Sequence, residues 1–181
     1  MNKNKYIELA KKAANIQINE LKKIKAVFNK SFVQAVDLIL NCKGKVVFAG
    51  VGKSGLIARK ISATFSSIGI PSFFCHPSDA LHGDLGQIEK KDILIIFSYS
   101  GNTSELTNML KYANRFRIKI IGIASKAESV LLTASDIKLK LPKVREADLI
   151  GMVPTSSTTI SLLLGDCLAT TIMSQKRFSK D

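Results

Sequence analysis

Val46-Val47-Phe48-Ala49-Gly50-Val51-Gly52-Lys53-Ser54-Gly55 is the stretch whose reading decides the fold. An apolar run of β-forming residues passes into a glycine-rich turn, the pattern of a strand that ends where a helix begins. A second run, Ile93-Leu94-Ile95-Ile96-Phe97, empties in the same way into Ser98-Tyr99-Ser100-Gly101-Asn102-Thr103-Ser104-Glu105. Helix N-termini present free backbone N–H groups and the positive end of the helix dipole. Two such ends, each rich in small hydroxylated residues, imply one anion pocket built from two loops. A small phosphorylated molecule is the natural ligand.

Two better-known motifs compete for the first loop. Gly50, Gly52 and Gly55 match G-x-G-x-x-G after a strand, the dinucleotide fingerprint. That fingerprint expects an acidic residue about 20 positions on to hold the ribose. Here the next strand ends Phe73-Phe74-Cys75-His76, with no carboxylate until Asp79. Gly52-Lys53-Ser54 also resembles a P-loop, but that motif needs glycine where Val47 stands, inside the strand. The second loop opens on Ser98 rather than the aspartate that supports magnesium. Nucleotide binding therefore ranks below binding of another small phosphorylated molecule.

Composition bounds the rest. The chain has 181 residues, 46% of them apolar, enough for one domain with a sizeable core. No run reaches the roughly 18 apolar residues of a membrane span. The longest, Ile160 to Met173, is broken by Asp166, and Met1-Asn2-Lys3-Asn4-Lys5 lacks a signal-peptide core, so no membrane partner is expected. Cys42, Cys75 and Cys167 are scattered and form no C-x-x-C pair, which fits a reducing cytoplasm. Lysine and arginine number 27 against 14 acids, a net charge of +13. The cations are dispersed and lack interleaved aromatics, so the surface reads as lysine-biased and solvated rather than as a nucleic-acid stripe. Its field attracts anions.

The order of elements follows from periodicity. Residues 5–27 carry Ile7, Ala10, Ala14, Ile18, Leu21 and Ile24 at helical spacing, and a second helix covers Phe32 to Leu40 with Val33, Val36 and Leu40 on one side. Strands then alternate with helices: Val46–Ala49, Ser54–Ser67, Pro71–Cys75, a short segment near Asp79–Leu85, Ile93–Phe97, Thr103–Phe116, Lys119–Ala124, Ser129–Ala134, Ile137–Leu141 and Ser156–Ser174. Near-continuous apolar strands in βαβ order predict a parallel, doubly wound sheet with ligands at the strands' carboxyl ends. There is no internal repeat, so the expectation is one domain over 1–181, with N-terminal helices in 1–42 and an αβα core over 43–177.

The two loops, together with Pro154-Thr155-Ser156-Ser157-Thr158-Thr159, resemble the sugar isomerase (SIS) domain. With Ala80-Leu81-His82-Gly83-Asp84-Leu85-Gly86 added, the resemblance narrows to the arabinose 5-phosphate isomerases of 3-deoxy-D-manno-octulosonate synthesis. It covers nearly the whole chain. It implies a five-stranded parallel sheet, a homotetramer, and interconversion of D-ribulose 5-phosphate and D-arabinose 5-phosphate. The same fold also serves non-catalytic phosphosugar sensors, which stands as the alternative. In that family a further catalytic histidine lies in a His-Pro-Gly-Gly motif beyond the last helix, often followed by two CBS domains. The sequence here closes on Phe178-Ser179-Lys180-Asp181, so the expectation is either a piece of a longer enzyme or a naturally short protein.

The resemblance and the physical reading together assign the site. Ser54, Ser98, Ser100 and Thr103 form the phosphate cradle, where hydroxyls and backbone N–H groups satisfy the oxygens without a metal, so no cofactor is expected. Lys53 is the catalytic cation that polarises the carbonyl or stabilises the enediolate oxygen. Glu105 and Glu146 match the family's two functional glutamates, and enediol chemistry needs such a base. Asn102-x-x-Glu105 also reads as a capping box, whereas Glu146 has no such structural duty and is the favoured base. His82 is placed near the sugar, for ring opening or a hydroxyl contact. Thr155, Ser156 and Ser157 complete the sugar pocket or cap the last helix. The resemblance implies that His76 can take an inhibitory zinc, although two histidines six residues apart make a poor structural site.

Overall fold

A computed structural model describes residues 3–80 and 82–176. In chain order the elements are α1 (Lys3–Leu21), a 3₁₀ turn (Lys22–Val27), α2 (Lys30–Leu40), β1 (Val46–Gly50), α3 (Gly52–Ser67), β2 (Ser72–Phe74) and α4 (Pro77–Ala80). There follow a 3₁₀ turn (Asp84–Gln87), β3 (Ile93–Phe97), α5 (Leu106–Phe116), β4 (Lys119–Ala124), α6 (Val130–Ala134), β5 (Ile137–Lys140) and α7 (Ser156–Gln175). The strands pair in parallel in the order β2-β1-β3-β4-β5. Helices cover both faces, giving the three-layer αβα sandwich with helices at the N-terminus.

Alternation along each strand feeds two cores. Phe48, Ile95, Phe97, Ile121 and Ile123 point to one face, against Ile61 and Phe65 of α3 and Ile160, Leu164 and Leu168 of α7. Val47, Ala49, Leu94, Ile96 and Ile120 point to the other, against Leu106, Met109 and Leu110 of α5 and Leu131 and Leu132 of α6. Both β1 and β3 are buried along their whole length, which explains why they lack polar alternation. Strand order reverses between β1 and β3, and a crevice opens at the carboxyl ends of such a pair.

The N-terminal helices use their apolar positions unevenly. The helical period over 5–27 breaks after Leu21 into the 3₁₀ turn. The stripe through Ile7, Ala10, Ala14 and Ile18 faces solvent; the side turned inward carries Ala13, Ile16, Gln17 and Glu20. Polar anchors decide this rotation, since Gln17 accepts a hydrogen bond from the Thr159 hydroxyl of α7 and Glu20 reaches the segment after β5. In α2 the buried residues are Ala35, Val36 and Ile39, and Val33 is exposed. Val33 lies one step off the stripe formed by Phe32, Ala35, Val36 and Ile39.

Candidate functional site

The β1–α3 connection is tight because its glycines permit it. Gly52 adopts φ +57°, and a Cβ on Gly55 would lie 2.6 Å from the Gly50 carbonyl oxygen. The first turn of α3 therefore sits directly on the end of β1, and no side chain caps it. The β3 loop closes on itself: the Ser98 and Thr103 hydroxyls are 2.8 Å apart, and Ser98 Oγ also accepts from Gly101 N–H. Gly101 again has positive φ, where any Cβ would strike Ser129.

These two loops face a cleft of about 350 Å³. Val51, Lys53 and Ser54 line it from the β1 side, and Ser98, Tyr99, Ser100 and Thr103 from the β3 side. Glu146 closes it from the segment after β5, and Pro154, Ser157 and Thr158 from the start of α7. Seven of the expected residues thus converge: Lys53, Ser54, Ser98, Ser100, Thr103, Glu146 and Ser157. Ser100 is exposed, and its Oγ accepts from Asn102 N–H, leaving its own proton free to donate. Ser98 is buried with its hydroxyl engaged inside the loop, so it shapes the cradle more than it presents a donor.

Two expectations about the glutamates are overturned. Asn102 and Glu105 do not form a capping box. Asn102 Oδ1 accepts from Val130 N–H at the start of α6, and Glu105 accepts from the Ser104 hydroxyl. The chain passes through turns at Thr103 and Ser104 before α5 begins at Leu106, so Asn102 is too far upstream to cap. Glu146, by contrast, does have a structural duty. Its Oε2 accepts from Thr155 N–H (2.8 Å), the Thr155 hydroxyl (2.9 Å) and Ser157 N–H (3.3 Å), which caps α7 from nine residues upstream. Burial pushes the Glu146 carboxyl up, but the hydrogen bonds from Ser157 and Thr155 outweigh it and hold the group below its usual range. A carboxylate is therefore kept ionised inside the cleft.

The remaining expected residues lie outside its lining. Thr155 serves Glu146 and Ala147. Ser156 is wholly buried, with a hydroxyl that has no partner. Glu105 is exposed, and its bond from the Ser104 hydroxyl holds its carboxyl low. His82 is exposed. His76 borders a second opening beside Lys53, Arg59 and Phe74, and its Nδ1 accepts from Ser78 N–H, leaving Nε2 outward. Among the described residues no three His, Cys, Asp or Glu side chains gather as a metal site, so a zinc at His76 would need ligands from elsewhere. Leu81 of the His82 motif and residues 177–181 lie outside the described residues.

Sequence reasoning assigned no role to Tyr99. Its phenol accepts from Val144 N–H at 2.9 Å and donates to the Pro142 carbonyl at 3.3 Å. The available signal was an aromatic residue among small hydroxylated ones in a loop.

Comparison with known proteins agrees with this geometry. The SIS domain matches residues 39–171. The arabinose 5-phosphate isomerase KdsD of Shigella flexneri is 40% identical over 174 residues, covering 96% of this chain and 53% of that protein. An uncharacterized protein of Rickettsia prowazekii, RP505, is 41% identical over the full chain and 56% of its own length. The chain thus spans about half the length of the curated relatives it matches. The solved structure of Escherichia coli CFT073 c3406 in complex with arabinose 5-phosphate superposes with a TM-score of 0.95 at 36% identity, over 99% of this chain and 96% of that one. Among the described residues no helix is long and apolar enough to cross a membrane. The match over residues 39–171, most of its length and a span that includes the loops of the cleft, places this chain in the SIS domain family.

Proposed function

We propose that this chain is an aldose–ketose isomerase of phosphosugars, interconverting D-ribulose 5-phosphate and D-arabinose 5-phosphate for 3-deoxy-D-manno-octulosonate synthesis. One observation carries the reading: Lys53 and an ionised Glu146 line the same cleft as the hydroxyl cradle. The phosphate lies against Ser54, Ser100 and the uncapped start of α3. A carboxylate removes the proton from the carbon beside the carbonyl, and the electron pair moves onto the carbonyl oxygen, where Lys53 stabilises the enediolate. The hydroxyl proton on that carbon then passes to the enediolate oxygen as the new carbonyl forms, and the abstracted proton returns to the former carbonyl carbon, which completes the isomerisation. Glu146 is the carboxylate in the cleft, and Glu105 stands outside it. The sugar-phosphate complex of c3406 and the likeness to KdsD support the choice of sugar.

A homo-oligomer, as a tetramer, belongs to the same proposal. No residue of α1 is buried, and Leu149, Ile150 and Met152 near it are each at least 74% exposed. Covering these apolar residues with a second copy would remove them from water. Light scattering at micromolar concentration tests this, and a monomeric mass counts against it.

A sensor reading is favoured by one fact, that Glu146 is already engaged as a helix cap. Incubating the protein with ribulose 5-phosphate and following arabinose 5-phosphate by NMR decides between the two. Binding without conversion supports the sensor.

A further inference from the structure

The segment between β5 and α7 carries Glu146 on irregular backbone, so something outside it must set its position. Two consecutive N–H groups do this work. Val144 N–H donates to the Tyr99 hydroxyl at 2.9 Å, and Arg145 N–H donates to Glu20 Oε2 at 3.1 Å. The next residue is Glu146. Tyr99 is itself held firmly, because its backbone carbonyl accepts both the N–H and the hydroxyl of Ser125 at 2.8 Å each. Its hydroxyl both accepts from Val144 and donates to Pro142, so its single proton is committed to the protein and not to a ligand. Lys23 adds a contact to the Lys143 carbonyl from the outer side.

Resting on the isomerase reading above, we propose that Tyr99 is a positioning residue: its hydroxyl, opposed by Glu20, sets the register of residues 142–146 and so places the Glu146 carboxylate in the cleft. A phenylalanine would fill the same space and leave the Val144 N–H and the Pro142 carbonyl without their partner. The segment could then slide, and the bonds from Thr155 and Ser157 to Glu146 would lengthen. Burial pushes the Tyr99 phenol up, which keeps it a protonated donor across the working pH range. Charged groups near Glu146 include Lys53 from α3 across the cleft, Lys143, Arg145 and Asp148 on its own segment, Glu20 from α1 and Lys23 from the following turn.

The test is Tyr99→Phe, with Tyr112→Phe on α5 as control, since Tyr112 packs on Phe116 in the opposite core. Turnover should fall about 10- to 100-fold with KM changed less than about threefold, as for a displaced rather than a missing group. Glu146, followed by carboxyl NMR in the ligand-free protein, should titrate at higher pH, and the acid limb of kcat/KM should move the same way. The Val144 amide should exchange faster. A change in KM alone makes Tyr99 a substrate contact and overturns the proposal; so does unchanged turnover with unchanged Glu146 titration. If Tyr99→Phe fails to fold, Glu20→Ala, which removes the partner of the Arg145 N–H, must lower turnover with KM little changed, or the proposal falls. A wild-type protein that isomerises nothing defeats the function proposed above, and the titration and exchange measurements still judge the positioning role by themselves.

Discussion

Two long helices point their N-termini toward one cleft, and they are finished differently. The start of α3 follows glycines and Val51, and no side chain caps it. The start of α7 is closed by Glu146 through three hydrogen bonds. Unsatisfied N–H groups attract an anion, and a capped terminus has already taken one. The open end thus suits a phosphate, while the closed end presents a fixed carboxylate in the same cleft. One physical device, the helix N-terminus, provides both a binding group and a chemical group. Evenly open or evenly capped ends would provide only one of them.

The comparison breaks most readily at Lys53, which neither caps nor is capped. Lys53→Met should lower kcat about 10²- to 10³-fold, because its charge acts on the developing enediolate. The affinity for sugar phosphate should fall only modestly. Steady-state kinetics with binding measured separately checks this, and lost affinity with normal turnover of bound substrate would make Lys53 a phosphate ligand. In the β3 loop, which faces the open end, Ser100→Ala should weaken phosphosugar binding by about 1.5–3 kcal/mol, the worth of a hydrogen bond to a charged group. Ser98→Ala should lower thermal stability as well, since its hydroxyl closes the loop. Thermal-shift titration with phosphorylated and unphosphorylated sugars separates the two effects.

At the closed end, Glu146→Gln should cost about 1 kcal/mol of stability, as lost caps do. The folded carboxyl sits below its usual value. Its stabilisation is therefore fully present above the unfolded pKa of about 4.3 and is lost as pH falls through the depressed folded value. Urea unfolding between about pH 3 and pH 7 should show this slope in the wild type and a flatter one in the variant. The smallest effect belongs to Ser156→Ala. A buried hydroxyl without a partner contributes nothing on folding, so stability should stay within about 0.5 kcal/mol or rise.

Periodicity alone located every strand, and β3 and β4 to the residue, because an apolar run buried on both faces leaves a strong local pattern. Lys53, Ser54, Ser98, Ser100 and Thr103 were legible because glycine and hydroxyl clusters mark strand–helix turns, whereas Glu146 and Ser157 were reached through the family resemblance. The side of α2 was partly misread, since Val33 lies one step off the buried stripe and is exposed. The capping box at Asn102 failed for a related reason: a four-residue motif assumes where the helix begins, and here α5 begins later.

The sequence by itself therefore determined the parallel αβα order, the two loops that meet at β1 and β3, and the residue types that suit a phosphosugar. These are properties of short segments, set by local sterics and by hydrophobic period. Only the tertiary structure decided that Glu146 caps α7 and that Tyr99 reaches Val144, 45 residues away. Those contacts join irregular segments that have no period of their own, and they exist only once the sheet has brought the ends of β3 and β5 to the same edge.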